Sequence, residues 1–334
     1  MKPLLLGALS PRAFLRRYWQ KRPLFVPRAL PQFRGVVELR QLAALAARDD
    51  VESRMVERRG NQWHTRHGPF PKQNSLKNRN HTLLVSGVNL HVAAADALLR
   101  RFAFIPQARL DDVMVSYATP GGGVGPHVDS YDVFLLQGPG RRRWRVCGNT
   151  YIANPGDLLY LPPGLEHDGV ALEPCYTYSI GFRAPRGAEL GAAFLDWLHE
   201  RGMPDAVYRD PGLAPVVHPA RIPSRMLSFT ADLLSRIRWS RRDAADFLGR
   251  YLSQPKPHVV FKRSTGKGEL VRLDPKTQLL YYGARFFING ESFSVKHAQL
   301  VKELADRRQS DTRRLAPLAG LIAEWQRAGY LHYG

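Results

Sequence analysis

Two cysteines in 334 residues, Cys147 and Cys175, exclude a disulfide framework and a thiolate zinc site. Such scarcity fits a reducing compartment. Acidic residues are also few: 29 Asp and Glu stand against 49 Lys and Arg, leaving a formal charge of +20. This excess has two readings, contact with RNA or another polyanion, or the background of an arginine-rich proteome. The basic residues are scattered, with short runs at Arg141–Arg143 and Arg241-Arg242 and no basic tail, so both readings stay open. No apolar run approaches the roughly 20 residues of a membrane span. The start, Met1-Lys2-Pro3-Leu4-Leu5-Leu6, faintly resembles a signal peptide, but its apolar run ends by Leu9 and meets Arg12, Arg16 and Arg17. Export is not expected, and the chain is read as cytoplasmic, without a membrane partner.

What is present is a hydrophobic fraction of 44%, normal for a folded chain with a sizeable core. Ser10-Pro11 reads as an N-cap followed by proline at N1, opening a helix through Phe14 and Leu15 towards Tyr18-Trp19. Further helices fit Val37–Ala47 and Ala93–Arg101. From about Asp111 short apolar runs alternate with Gly and Pro turns: Asp112–Tyr117, His127–Gln137, Arg142–Val146, Asp157–Leu161 and Tyr176–Phe182. That texture predicts an antiparallel barrel or sandwich. Beyond Pro185 the period turns helical, with Leu190, Phe194, Trp197 and Leu198 on one face and a second stretch from about Ser224 to Leu252. A small mixed unit follows Pro255 and Pro257. It has strands near Glu269–Leu273, Gln278–Tyr282 and Arg285–Ile288, a hairpin turn at Asn289-Gly290, and helices at His297–Arg307 and Leu315–Ala328.

Chemistry-bearing residues gather in the central stretch. A His-x-acid pair such as His127-Val128-Asp129 arises about once by chance in this composition. On a strand, however, residues two apart share a face, so both would look into the barrel. With one more histidine they would make a facial three-ligand set that leaves positions open, the arrangement of non-haem Fe(II) oxygenases. His167, after the turn Pro162-Pro163-Gly164, is the candidate third ligand, although taken alone it reads as an ordinary loop histidine. Alternation in Arg141-Arg142-Arg143-Trp144-Arg145-Val146 turns Arg142 inward with Trp144 and Val146. An inward guanidinium needs an anion, either a dicarboxylate co-substrate or an ion pair within the protein. Asp112, Met114 and Ser116 likewise share an inner face, with Val113 and Val115 packing outward. Asp112 then asks for a cation, either a guest or a neighbouring arginine. The glycine run before His127 lacks the Gly-Lys-Ser/Thr ending of a phosphate loop and precedes a strand, so it is not read as one.

These residues carry a family resemblance. Phe14, Tyr18-Trp19 and Lys21-Arg22-Pro23 look like the opening of JmjC-type hydroxylases. The run from Pro120 through His127, Asp129 and Tyr131-Asp132-Val133-Phe134 is closer still. So are Gln137–Val146, Gly156-Asp157 through Pro162-Pro163-Gly164 to His167 and Gly169, and Tyr178-Ser179 to Pro185. Together they resemble the bacterial ribosomal oxygenases, JmjC arginine 3-hydroxylases of a large-subunit ribosomal protein, the L sixteen protein. The resemblance implies an α+β fold: a double-stranded β-helix (jelly-roll, cupin-like JmjC barrel) over 1–185, a helical dimerisation region over 186–254, and a winged-helix-like domain over 255–334. It implies His127, Asp129 and His167 as iron ligands, Ser116 and Arg142 on 2-oxoglutarate, and Asp112, Met114, Tyr131 and Ser179 around the target arginine. Fe(II), 2-oxoglutarate and O2 follow as cofactor and co-substrates, and a homodimer and a ribosomal-protein substrate as partners.

The link Cys147–Gly156 is shorter than that family usually has between these strands, which leaves the substrate entrance an open matter. The alternatives are the same chemistry on a histidine or another protein, and a catalytically silent, basic ribosome- or RNA-binding protein.

Overall fold

The computed structural model describes residues 5–71, 76 and 78–334. The chain packs as two compact units, one comprising the residues up to Ala184 with Pro255–Thr277 and Gln299–Gly334, the other Pro185–Gln254 with Gln278–Ala298. Residues 255–334 therefore contribute to both. No helix among the described residues is long and apolar enough to cross a membrane.

The first unit is built on twelve strands: β1 (Leu24–Val26), β2 (Ser53–Arg59), β3 (Gln62–His67), β4 (His81–Val85), β5 (Leu110–Ala118), β6 (His127–Val128), β7 (Val133–Gln137), β8 (Arg142–Val146), β9 (Asn149–Ala153), β10 (Leu158–Leu161), β11 (Glu166–Ala171) and β12 (Cys175–Phe182). They form an eight-stranded sheet, β1-β10-β7-β12-β5-β4-β2-β3, and a four-stranded sheet, β6-β11-β8-β9. The part of this unit up to Ala184 carries three α-helices among the described residues, α1 (Pro11–Arg17), α2 (Leu39–Ala46) and α3 (Ala93–Arg100). Ser10 caps α1 by accepting from the Ala13 N–H at 3.1 Å, with Pro11 at the first helical position.

Strand β7 shows why the sequence reads as a continuous apolar run. Phe134 and Leu136 face a core made with Phe14, Leu42, Leu98 and Phe102, whereas Val133 and Leu135 pack with Trp144, Val146 and Leu159. A strand covered on both sides loses its polar alternation. Val113 and Val115 of β5 lie in the helix-covered core, which leaves Asp112, Met114 and Ser116 for the opposite face.

Two sequence expectations are corrected. The run His127–Gln137 is two strands in two different sheets: β6 pairs with β11, β7 with β10 and β12. The chain crosses between sheets over 129–132, and Asp132 is what holds it there. Its carboxylate is fully buried and accepts from the Tyr160 hydroxyl at 2.6 Å, the Gln20 side-chain amide at 3.1 Å and Arg109 at 3.2 Å. Asp132 is thus a structural acid of the crossing. The short link Cys147–Gly156 is itself structured, because β9 folds back on β8 as a hairpin with Arg142 opposite Ala153 and Val146 opposite Asn149. The left-handed turn at Cys147 (φ 48°) and Gly148 (φ 76°) makes that reversal tight.

The glycine run has a packing role. A Cβ on Gly122 would run into the His81 carbonyl of β4, and one on Gly123 into the Gly169 carbonyl of β11, so the loop before β6 needs bare backbone.

The C-terminal residues of this unit add β13 (Leu270–Leu273) at the centre of a small sheet, flanked by Gln309–Asp311 and Leu331–Tyr333. The second unit holds helices Gly187–Glu200, Ser224–Ser235 and Arg241–Ser253, and a three-stranded meander of Leu279–Tyr282, Arg285–Ile288 and Glu291–Ser294 turning at Asn289-Gly290. The helical stretch read as Ser224–Leu252 breaks at 236–240, where Ser240 caps a new helix by accepting from the Asp243 N–H at 3.3 Å.

Removing one member of a buried charged network leaves the others unpaired, a loss of about 3 kcal/mol or more. Asp132→Ala is therefore expected to lower the unfolding free energy by an amount of that order in a urea titration followed by tryptophan fluorescence. A loss below about 1 kcal/mol, the worth of an exposed pair, would show that the Asp132 network does not hold the crossing.

Candidate metal and co-substrate site

A cavity of about 460 Å3 opens between the two sheets, lined by residues of both. His127 on β6 and His167 on β11 are directly opposite in the strand register, their rings 4.2 Å apart. Asp129 lies just beyond the end of β6, so the pair does not share a strand as the alternation argument supposed. The crossing at 129–132 nevertheless returns its carboxylate to the two imidazoles. Asp129 Oδ1 is 3.9 Å from His127 Nε2, Oδ2 is 3.7 Å from His167 Nε2, and the three donor atoms lie within 4.8 Å of one another.

Both histidines are oriented by their own backbone. His127 Nδ1 stands 2.9 Å from the Gly125 carbonyl and His167 Nδ1 3.0 Å from the Leu165 carbonyl. A nitrogen facing a carbonyl carries a proton, so in the neutral tautomer that fits this contact the Nε2 on the Asp129 side is the atom free to bind a metal. Burial holds His167 below the ordinary imidazole range, and the neutral ring is the form that binds a metal. Two neutral imidazoles and one carboxylate make a fitting donor set for a divalent transition metal with open positions.

Arg142 of β8 is buried, only 3% exposed, and its Nε and Nη2 have no hydrogen-bond partner. Arg141 instead pairs outside with Glu173 at 3.2 Å, and Arg145 is exposed. A buried guanidinium with two unanswered donors is a site for an anion. Ser116, opposite Thr177 in the β5–β12 register, lines the same cavity, and so does Thr82 of β4, whose buried hydroxyl also lacks a partner. These groups fit the far carboxylate of a dicarboxylate such as 2-oxoglutarate.

Asp112, Met114, Tyr131 and Ser179 line the cavity as well, with Ser179 opposite Met114. Burial pushes Asp112 up, and the Lys256 ammonium opposes that. Asp112 Oδ2 accepts from the Gly87 N–H at 2.8 Å and from Lys256 at 3.3 Å, so its partner is a lysine and not the arginine that the sequence suggested. Burial pushes the Tyr131 phenol up to about 12, leaving it protonated at neutral pH. Arg54 of β2 brings its Nη2 to 3.7 Å from the Met114 sulfur.

Sequence reasoning missed Thr82, Arg54 and Lys256. Residues 81–85 escaped notice as a strand because they are buried on both faces, and the segment Pro255-Lys256-Pro257 carries no local sign of where it packs.

The JmjC domain family matches residues 97–153 and 149–190, which include every metal, co-substrate and target-site candidate named from the sequence. A ROXA-like winged helix family matches residues 236–332. The ribosomal protein uL16 3-hydroxylase of Escherichia coli K12 is 34% identical over 327 residues, covering 87% of each chain. The chain belongs to the JmjC ribosomal oxygenases. A probable ribosomal oxygenase of Haemophilus influenzae is 36% identical over 208 residues, covering 54% of this chain and 52% of that protein. The X-ray structure of E. coli YcfD superposes with a TM-score of 0.84 at 31% identity, covering 97% and 98% of the two chains. A YcfD structure in complex with cobalt and 2-oxoglutarate superposes with a TM-score of 0.82 over the same shares at 31% identity. The oxygenase therefore has the cupin-like JmjC barrel together with a winged-helix region.

A buried cation with two donors unanswered costs stability that an apolar side chain of similar length does not. Arg142→Met is accordingly expected to leave the melting temperature of the ligand-free oxygenase unchanged or higher by differential scanning fluorimetry. A fall of several degrees would mean that the guanidinium is structurally paired after all.

Proposed function

We propose that this oxygenase hydroxylates an arginine of ribosomal protein uL16 at its β-carbon, using Fe(II), 2-oxoglutarate and O2. The observation that carries the reading is one cavity bringing together the His127–Asp129–His167 donor set, the unanswered Arg142 guanidinium, and the Asp112 carboxylate beside Met114 and Tyr131. We further infer that it works in the cytoplasm.

The residues divide the work. His127, Asp129 and His167 would hold the metal on one side and leave the other open. Arg142 would grip the distal carboxylate of 2-oxoglutarate, with Ser116 and Thr82 offering hydroxyls, so that the keto acid lies with its other end towards the metal. Bound Fe(II) supplies the redox chemistry that splits O2, one atom entering succinate as 2-oxoglutarate loses CO2 and the other replacing a C–H bond by C–OH. Asp112 would take the target guanidinium in a forked, charge-assisted pair. The Tyr131 ring and the Met114 thioether would hold its apolar stem, and Ser179 would offer a hydroxyl at the same wall. Fixing the side chain at its far end would limit which of its C–H bonds can be presented to the His127–Asp129–His167 set, which is positional selection by orientation. A neutral histidine would use the carboxylate less well, and a silent binding protein would have no use for an intact donor set.

Helices Gly187–Glu200 and Ser224–Ser235 bury no residue, and Leu195, Leu227 and Leu234 are each more than half exposed. That supports a homodimer through 186–254, since apolar helix faces of this size are covered in solution. The winged-helix-like region has no assigned partner, and the +20 charge leaves contact with nucleic acid open.

Three measurements test the reading. His127→Ala is expected to abolish binding of Mn(II), used as a redox-silent probe, in calorimetric titration, whereas the parent takes up one ion per chain. Retained stoichiometric binding would refute the ligand set. Arg142→Met is expected to raise the KM for 2-oxoglutarate by about 10- to 100-fold, the worth of a lost hydrogen bond to a charged group at about 1.5–3 kcal/mol. With the oxygenase, Fe(II) and 2-oxoglutarate, the host's uL16 should gain the mass of one oxygen on an arginine, and Asp112→Ala should lose that gain while still binding 2-oxoglutarate. Oxidation of a different residue or protein under the same conditions would keep the oxygenase chemistry and reject the arginine.

A further inference from the structure

Lys256 is a charged group at the target pocket that the reaction does not use, and it lies directly on the carboxylate read as the target's counter-ion. It lies on the segment Pro255–Thr277, which packs with the barrel unit, and its ammonium reaches 3.1 Å from Asp111 Oδ1 and 3.3 Å from Asp112 Oδ2. Asp111 has a second cation, with Arg183 Nε at 3.6 Å from the same oxygen. Asp112 is firmly placed, its Oδ2 accepting from the Gly87 N–H at 2.8 Å. Its other oxygen, Oδ1, takes no hydrogen bond or ion pair among the described residues and lies on the cavity wall beside Gly181, where an added Cβ would stand in ordinary contact at 3.7 Å.

The two carboxylate oxygens are therefore unequally available. Oδ1 carries no donor among the described residues, and Oδ2 is held by Gly87 and Lys256. A guanidinium needs both oxygens for a forked pair. The side chain of Lys256 is 40% exposed and that of Asp112 12%, so the lysine can turn to water and the carboxylate cannot.

We propose that Lys256 is a resident competitor for the target side chain: it occupies Asp112 Oδ2 in the resting enzyme, yields it to an incoming guanidinium, and stays on Asp111. This rests on the reading of Asp112 as the target's counter-ion. Such a competitor lowers the apparent affinity by the fraction of molecules in which it has let go. It also sharpens selectivity. A guanidinium gains a second hydrogen bond by displacing it. A target lysine would exchange one ammonium for another with no gain, or place two ammonium groups on one carboxylate.

The test compares Lys256→Ala and Lys256→Arg in the full-length enzyme loaded with Mn(II) and 2-oxoglutarate. Binding of the host's recombinant uL16 is measured by calorimetry, and the KM and kcat for uL16 are measured with Fe(II). Lys256→Ala is expected to tighten uL16 binding and lower KM by about threefold to tenfold, with kcat little changed, as for loss of one partly exposed ion pair. Lys256→Arg, which grips Asp112 as a fork, is expected to weaken binding by a similar factor. A strut would behave oppositely, with Lys256→Ala weakening binding and Lys256→Arg restoring it. That result, or unchanged binding in both variants, overturns the proposal. Asp112→Ala serves as the reference. If it abolishes uL16 binding while Lys256→Ala does not tighten it, only the competitor is refuted. If Asp112→Ala binds uL16 like the parent, the target-site reading falls and the competitor with it.

Discussion

The site depends on a carboxylate that takes no part in its chemistry. Asp132 sits with no exposure at the point where the chain leaves one sheet for the other, tied to Tyr160 of β10, to Gln20 after α1 and to Arg109 ahead of β5. Its main-chain carbonyl also accepts from Phe182 at the end of β12. Three and one residues before it stand Asp129 and Tyr131, one facing the histidines and the other the target pocket. A buried charge costs several kcal/mol unless every lone pair is answered. Here the carboxylate accepts from groups of three separate segments and the main-chain carbonyl from a fourth, which holds the loop in place and positions the donor atoms of Asp129 and Tyr131.

Three buried charges in this barrel illustrate three grades of satisfaction. Asp132 is fully bonded and structural. Arg142 keeps two donors unanswered, which is stable only if an anion visits. Asp112 is in between, with one oxygen held by Gly87 and Lys256 and the other without a donor among the described residues. The order runs from scaffold to co-substrate to target, and it follows from how much bonding each group lacks in the resting protein.

Packing explains where the cavity lies. The eight-stranded sheet is covered by helices on its outer face and lines the cavity with its inner one, so β5 presents Val113 and Val115 outward and Asp112, Met114 and Ser116 inward. Gly169 contributes by absence: a Cβ there would collide with the Trp144 ring, which packs beside His167 at 6.0 Å. The ring can close over the imidazole only because that position of β11 is bare.

The amino-acid sequence by itself determined the barrel class, the inward turn of Arg142, the His127–Asp129–His167 set and, through its motifs, the ribosomal oxygenase family. The barrel class and the inward turn of Arg142 rest on local periodicity, which survives without knowledge of the fold. The metal set rested on the motif resemblance, since Asp129 lies beyond the end of β6 and the same-face argument does not hold for it. Strand pairing was not legible where burial on both faces erases alternation, as in His81–Val85, nor was the split of His127–Gln137 between two sheets, because the crossing is enforced by Asp132 meeting residues far away in sequence. Lys256 is the extreme case. Its contact with Asp112 spans 144 positions, and no pattern around Pro255-Lys256-Pro257 points to it. Only the tertiary structure decided which charges are answered and which are left open, since that depends on long-range neighbours and on exclusion of water.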